Sequence, residues 1–187
     1  LSGIKDSHGI WAPDIFYNDG TFYIIATMRL NDSGEEKTRP SRQQLIMKST
    51  TPEGPYTKPV WLNANSIDPS LFFDDDGRVY VFYGTGELKE LKSDLSDVKP
   101  GGVSMKIFER DADEQGLLEG SQVVKYNGKY YLLMISMDWS IPGRVRREVC
   151  YRADTITGPY EKKVILEHDF DGYGGVGQGC IIDSEEG

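Results

Sequence analysis

The chain has 187 residues and a formal net charge of −9, with 38% hydrophobic and 27% charged residues. This composition is typical of a globular domain, and the acidic balance argues against nucleic acids and anionic membranes, which attract clustered Lys and Arg. No apolar run approaches the roughly 20 residues that span a bilayer, and no leader peptide is evident. The sequence does not predict the cellular compartment or the oligomeric state of the protein.

Along the chain, three segments resemble one another, and each consists of an apolar stretch, a turn rich in Asn or Asp, and an aromatic stretch. The segments begin at Trp11, Asp68 and Glu119, and a fourth begins at Gly179. Their turns close on glycines 57, 51 and 59 residues apart, namely Gly20, Gly77, Gly128 and Gly187. Asn-Gly and Asp-Gly steps supply the positive φ that tight hairpins require, so each segment is predicted to be a β-hairpin.

The repeated hairpins predict an all-β fold. Helical periodicity is weak throughout the sequence, which supports the same prediction. Repeats of this length with about four strands each are typical of β-propeller blades. The predicted blades span residues 9–65, 66–116 and 117–175, with a truncated fourth at 176–187, in one partial propeller domain covering 1–187. A β-sandwich is the alternative, but it gives no reason for the repeat.

The starts of the innermost strands of a propeller lie near the same mouth of its central channel. Residues 11–14, Asp68 and Glu119 occupy these starts and supply an aromatic ring and two carboxylates. Cleavage of a glycosidic bond needs one carboxylic acid to protonate the leaving oxygen and a second carboxylate on the other side. Like charges in a crowded site raise a carboxylic pKa, which keeps the acid protonated. A neutral carbohydrate substrate also agrees with the acidic balance.

Three motifs in this order and spacing resemble glycoside hydrolase family 43. They are Gly-Ile-Trp-Ala-Pro-Asp at 9–14, Ile-Asp-Pro-Ser-Leu-Phe-Phe-Asp-Asp-Asp-Gly at 67–77 and Leu-Glu-Gly-Ser-Gln at 118–122. The resemblance implies a five-bladed propeller that hydrolyses β-xylosides or α-L-arabinofuranosides with inversion. It also implies that Glu119 is the general acid, that Asp68 tunes the pKa of this acid and orients the sugar, and that Trp11 shapes the pocket floor.

Two positions depart from the pattern of this family. The general base of the family is an Asp upstream of the Trp-Ala-Pro motif, and neither Asp6 nor Asp14 matches it, so the base is assigned to no residue of this chain. Many members have a His where this chain has Gln178, near a central water or cation. We expect Gln178 to bind substrate, no cofactor to be required, and a calcium ion to be disfavoured, because a neutral amide is the poorer candidate there.

Four further features of the sequence carry expectations. Asp14 is a candidate substrate ligand, although a structural hydrogen bond within its loop is the favoured interpretation. Trp139 follows the strand after Glu119 and is a candidate for the pocket rim. The basic run at 144–147 is expected to be a solvated strand edge or loop. Cys150 and Cys180 are expected to be buried thiols and to form no disulfide framework.

Two other functions compete with hydrolysis. A propeller that binds sugar without catalysis is one, since no residue of this chain takes the role of the base. A protein-interaction propeller is the other, but the repeats lack Trp-Asp blade endings. Because a five-bladed ring of such units is longer than 187 residues, the chain is predicted to be a fragment that does not hydrolyse glycosides alone.

Overall fold

The computed structural model describes residues 7–30, 41–143, 146–168, 171–172 and 174–182, with only the backbone at Ser7, His8 and Leu30. Within these residues the single helix is a short 3₁₀ helix, Ala112–Glu114, and all other regular elements are strands. The prediction of an all-β fold is therefore confirmed. In the described part of the chain, no helix has the length and apolar character needed to cross a bilayer.

Twelve strands of the described residues form three antiparallel sheets, and in each sheet the four strands lie side by side in chain order. The first sheet contains β1 (Ser7–Asn18), β2 (Thr21–Leu30), β3 (Arg42–Ser49) and β4 (Val60–Trp61). The second contains β5 (Ser70–Phe73), β6 (Val79–Tyr83), β7 (Glu87–Leu91) and β8 (Ser104–Lys106). The third contains β9 (Leu117–Tyr126), β10 (Lys129–Met137), β11 (Arg147–Ala153) and β12 (Glu161–Leu166).

The predicted hairpins join the first two strands of each sheet. Asp19 and Gly20 have φ values of 44° and 75°, and Asn127 and Gly128 have 48° and 74°. Two consecutive residues with positive φ make a type I′ turn, whose twist matches that of the flanking strands. Gly77, at φ 79°, closes the corresponding turn of the second sheet. The turn chemistry in the sequence thus sets the pairing of these strands.

The chain divides into two compact units, the first made of residues 1–83 and 88–105 and the second of residues 84–87 and 106–187. In the first unit, buried apolar side chains of the first two sheets form one cluster. Its buried members are Ile25, Ile46, Leu62, Ala64, Leu71, Val79, Val81, Tyr83, Leu91 and Leu95. This shared core fixes the second sheet against the first within the unit.

The core of the second unit lies along β9, β10 and β11. Its fully or nearly fully buried side chains include Leu118, Leu132, Met134, Val149 and Tyr151. The ring of Phe108 stacks on Tyr151 with centroids 3.8 Å apart and an interplanar angle of 4°. This core supports the strand that carries Glu119.

Candidate active site

The predicted site residues lie in both units, with Trp11, Asp14 and Asp68 in the first and Glu119, Trp139 and Gln178 in the second.

A bulge of the same kind interrupts the first strand of the first and third sheets. Trp11 faces Thr27 and Asp14 faces Ile25, so β1 has one residue more than β2 between these pairs. In the third sheet Glu119 faces Ile135 and Gln122 faces Leu133, so β9 carries the extra residue. Ala12 has a φ of 41° and Gly120 has a φ of 76° inside these bulges. Bulges re-aim side chains next to active sites, and here they place Trp11 and Glu119 at equivalent positions.

Asp68 is held by a buried chain of hydrogen bonds that runs into the first sheet. Its backbone N–H donates to Thr27 Oγ1 at 3.2 Å, and the Thr27 hydroxyl donates to Gln44 Oε1 at 2.9 Å. Asp68 is 9% exposed and has a φ of 53°, a left-handed conformation that is costly for a residue with a Cβ. Strained, over-determined residues of this kind are concentrated at functional sites. The geometry therefore agrees with a functional role for Asp68.

Trp11 lies across the strand pair from Thr27, the residue that anchors Asp68. Trp11 is 37% exposed, and the guanidinium carbons of Arg29 and Arg42 lie 6.0 Å and 5.8 Å from its ring centroid. Cations over an indole face are favourable, by about 0.5–1 kcal/mol at exposed sites. The register thus brings Trp11 to the strand position that holds Asp68, and the ring remains accessible from solvent.

Asp14 makes a local contact. Its Oδ1 accepts a hydrogen bond from the backbone N–H of Ile15 at 2.9 Å. This local bond supports the structural interpretation of Asp14.

Glu119 is partly buried on β9, and Gly120 directly after it is buried. A Cβ at Gly120 would lie 3.1 Å from Ile135 Cγ1 and 3.3 Å from Gln178 Cγ. Only glycine fits this crowded, left-handed position without displacing a neighbour. The Glu-Gly pair of the motif therefore has a physical reason, and it brings the side chain of Gln178 next to the strand start that carries Glu119.

Trp139 is 57% exposed, and its ring lies against Gly116, immediately before β9. A Cβ at Gly116 would come within 2.6 Å of Met137 O, to which the backbone N–H of Gly116 donates at 3.1 Å. The structure therefore places Trp139 at the end of the sheet from which β9 starts.

Glu148 was not anticipated from the sequence. It is 2% exposed on β11, and Gly179 N–H donates to its Oε2 at 3.3 Å. Burial raises the pKa of the Glu148 carboxyl, an effect that the backbone N–H groups of Gly179 and Gln178 only partly oppose. In the sequence Glu148 follows two arginines and resembles a solvated charge, so no signal distinguished it.

The basic run corrects one expectation. Arg147 is not solvated, because its side chain is only 11% exposed. Its Nη1 donates to Asp113 Oδ2 at 2.7 Å and its Nη2 to Ser136 Oγ at 2.9 Å. Arg147 therefore pairs with a carboxylate that is distant in the sequence, and the charge pattern alone does not predict this contact. Arg144 and Val145 lie outside the described residues.

The cysteines correct another expectation. Both are free thiols, and Cys180 is exposed instead of buried. It lies in the segment 176–182, which forms no strand, so no sheet face covers it. Burial raises the pKa of the Cys150 thiol, which is partly enclosed in β11.

An acidic cluster lies beside the 3₁₀ helix, and among the described residues it is the one group of three carboxylates close enough to share an ion: Asp111, Asp113 and Glu114. Lys162 Nζ lies 2.6 Å, 3.0 Å and 3.3 Å from their oxygens. The cluster is thus already compensated by a partly buried ammonium. Gln178, where we expect a calcium ion to be disfavoured, is not a member of this cluster.

Comparison with known proteins identifies the relatives of this chain. The model of the family "Glycosyl hydrolases family 43" matches residues 2–187. Xylosidase/arabinosidase 43B of Humicola insolens is 31% identical over the whole chain, and the match covers 36% of that protein. The chain therefore spans about a third of the length of this relative.

Solved structures give the same result for the fold. BlXynB of Bacillus licheniformis, a GH43 protein, is 39% identical with a TM-score of 0.72, and the match covers 86% of this chain and 31% of that one. Xylan beta-1,4-xylosidase of Bacillus halodurans is 27% identical with a TM-score of 0.75, and the match covers 99% and 37% of the two chains. The three four-stranded sheets of this chain thus correspond to propeller blades in such structures.

Proposed function

Because this chain belongs to glycosyl hydrolase family 43, we propose that it forms the acid-bearing part of a glycoside hydrolase. The substrate is a xylose- or arabinose-containing oligosaccharide or polysaccharide of plants, and the bond is cleaved with inversion. Relatives named as xylosidases and arabinosidases support this substrate class. Since the chain spans about a third of their length, the activity is proposed for the full-length protein.

The observation that carries the proposal is the position of Glu119. It stands at the beginning of β9, directly before a bulge that requires glycine, in the sheet position that Trp11 occupies on β1. A carboxyl at a bulged strand start is aimed by the backbone rather than by a flexible loop. A general acid needs such fixed placement, because its proton must reach the leaving oxygen within hydrogen-bond distance.

In the proposed mechanism, Glu119 donates its proton to the glycosidic oxygen as the bond to the anomeric carbon breaks. For Asp68 we propose the role that the family resemblance implies, which is to favour the protonated form of the acid, since negative charge raises the pKa of a carboxylic acid. Trp11 offers an apolar face to the sugar ring, and Gln178 and Trp139 contribute further contacts to the sugar. Asp14 makes a local hydrogen bond with the backbone of Ile15 on β1. The water-activating base is assigned to no residue of this chain.

We propose that the chain is one partial domain, which consists of repeat units at 9–65, 66–116, 117–175 and 176–187. The second and third sheets lie within the units 66–116 and 117–175, and the first sheet begins at Ser7, two residues before the unit 9–65. The proposed mechanism requires no cofactor.

The test is sugar release by the full-length protein from arabinan, arabinoxylan, xylo-oligosaccharides and aryl glycosides, with binding measured in parallel. We expect release of xylose or arabinose, with an initial product of inverted anomeric configuration by NMR. Binding without release from any substrate would contradict hydrolysis and favour a sugar-binding propeller. A product that retains the configuration of the substrate would contradict the inverting mechanism.

A further inference from the structure

Glu148 is a buried acid for which the proposed mechanism has no use. Its side chain is 2% exposed, and its Oε1 has no hydrogen-bond partner among the described residues. A buried carboxyl with one oxygen unsatisfied is costly to the fold. Buried polar groups left in this state call for an explanation other than stability.

The register of the third sheet places Glu148 in one row with the proposed acid. Ile135 on β10 faces Glu119 on one side and Glu148 on the other. Residues directly opposite one another in antiparallel strands project from the same face of the sheet. The three side chains therefore form a row across β9, β10 and β11, with an isoleucine between two glutamates.

The segment 177–179 crosses this row and is fixed to it at two points. A Cβ at Gly177 would lie 2.9 Å from Ile135 Cγ1, so the backbone there rests directly on the isoleucine. Gly179 N–H donates to Glu148 Oε2 at 3.3 Å, and a Cβ at Gly179 would lie 3.5 Å from the carboxyl carbon. Gln178, between these two points, is held in a left-handed conformation with a φ of 63°.

The side chain of Gln178 consequently points toward the strand start of β9. Its Cγ lies 3.3 Å from the position that a Cβ of Gly120 would occupy, and Gly120 follows Glu119 directly. Gln178 itself is exposed to solvent in the described part of the chain. The side chain of Gln178 therefore lies beside the residue that follows the acid, and it is accessible to a ligand.

The arrangement repeats the one that holds Asp68 in the other unit. Asp68 and Gln178 each stand nine residues before a repeat glycine, Gly77 and Gly187 respectively. Both have a left-handed backbone, with φ values of 53° and 63°. In both, a backbone N–H at this point donates to a buried polar side chain of the preceding sheet. For Asp68 the acceptor is Thr27, which Gln44 supports, and for the Gln178 segment it is Glu148.

We propose that Glu148 is a positioning residue that acts through Gln178. Its carboxyl anchors the segment 177–179 on the third sheet and so holds the Gln178 amide beside Glu119, where it contacts the sugar. This proposal rests on the proposed function, since it assigns Glu148 to the same site.

A double-mutant cycle in the full-length protein tests the proposal. We expect Glu148→Ala and Gln178→Ala each to lower kcat/KM on a xylo- or arabino-oligosaccharide about tenfold, the loss of roughly one hydrogen bond. The double variant is expected to be no worse than Gln178→Ala, because the second change removes the group through which Glu148 acts. Glu148→Gln retains an acceptor for Gly179 N–H and is expected to keep most of the activity.

Val149→Ala is the matched control, because Val149 neighbours Glu148 on β11, is fully buried and faces the other side of the sheet. It is expected to lower stability and to leave kcat/KM of the folded protein unchanged. If Glu148→Ala does not fold, Glu148→Leu removes the acceptor while it fills the space.

Two results would overturn the role of Glu148: losses in kcat/KM that multiply in the double variant, or an unchanged kcat/KM for Gln178→Ala. As long as the wild type releases sugar, neither result affects the proposed function. If the wild type releases no sugar, the proposed function fails separately, and the same cycle is measured on the Kd for the oligosaccharide. Additive effects on Kd, or no binding, would then overturn the positioning role as well.

Discussion

At the scale of single residues, hydrogen bonds to buried side chains hold a few backbone positions between the strands of the described part of the chain. Asp68 and Gln178 adopt left-handed conformations, and a polar side chain of the preceding sheet holds the backbone at each position. Such conformations cost about 1–2 kcal/mol per residue for a side chain with a Cβ. They persist because neighbouring groups over-determine them.

Thr27→Val tests the anchor of Asp68. Valine has the shape of threonine but no hydroxyl, so Asp68 N–H loses its acceptor and Gln44 Oε1 loses its donor. Gln44 Nε2 is already buried without a partner among the described residues. Because buried polar groups left unsatisfied cost about 1–3 kcal/mol, we expect a loss of that size in the free energy of unfolding, measured by urea denaturation.

Thr27→Ser is the control, since it retains the hydroxyl and is expected to retain most of the stability. Equal losses for Val and Ser would show that the methyl group, not the hydrogen bonds, is what matters at position 27.

At the scale of elements, strand starts and turns were predictable from the sequence, and the bulges were not. Asp19-Gly20 and Asn127-Gly128 specify hairpins locally, because only a few residues tolerate positive φ. The sequence around Ala12 does not predict the left-handed conformation of this residue, which forms part of the bulge next to Trp11. A bulge depends on which residue of the next strand is opposite, which is a long-range property.

Buried polar residues were missed for a related reason. Glu148 and Arg147 are adjacent in a charged run, yet both are largely enclosed. An alternating pattern assigns residues to two faces of a strand but does not say which polar side chain is covered by another segment. The partner of Glu148 is 31 residues away, and that of Arg147 is 34 residues away.

The ion cluster between the 3₁₀ helix and β12 predicts a pH dependence of stability. Burial raises the pKa of Asp113, but hydrogen bonds from Arg147 and Lys162 outweigh burial and bring this pKa below its ordinary value of 3.8. A carboxyl with a lowered pKa in the folded state stabilises the protein above its unfolded pKa, and this stabilisation is lost as the pH falls through the folded pKa.

We therefore expect Asp113→Asn to be less stable than the wild type near neutral pH, with a difference that shrinks below about pH 4. Urea denaturation across this range measures it. Glu161→Gln, which removes an exposed ion pair with Arg152, is the control and should change stability little. A difference for Asp113→Asn that is constant with pH would contradict the assigned role of the cluster.

At the scale of the whole molecule, the repeat, the all-β fold and the family could be predicted from the sequence, because the motifs around Trp11, Asp68 and Glu119 are local and ordered. The two-unit division and the buried anchors at Thr27 and Glu148 required the structure. In the proposed function, an acidic chain with net charge −9 acts on a neutral sugar, and the carboxyl of Glu119 protonates the leaving oxygen.

The most direct test of this claim compares two substrates with Glu119→Ala and the wild type in the full-length protein. The substrates are an unactivated xylo- or arabino-oligosaccharide and the 4-nitrophenyl glycoside, whose leaving group needs little protonation. Since acid assistance contributes about 10²–10⁴-fold, we predict a loss of at least about 10²-fold in kcat/KM on the oligosaccharide and a much smaller loss on the aryl glycoside. Equal losses on both substrates, or undiminished hydrolysis of the oligosaccharide, would contradict Glu119 as the general acid.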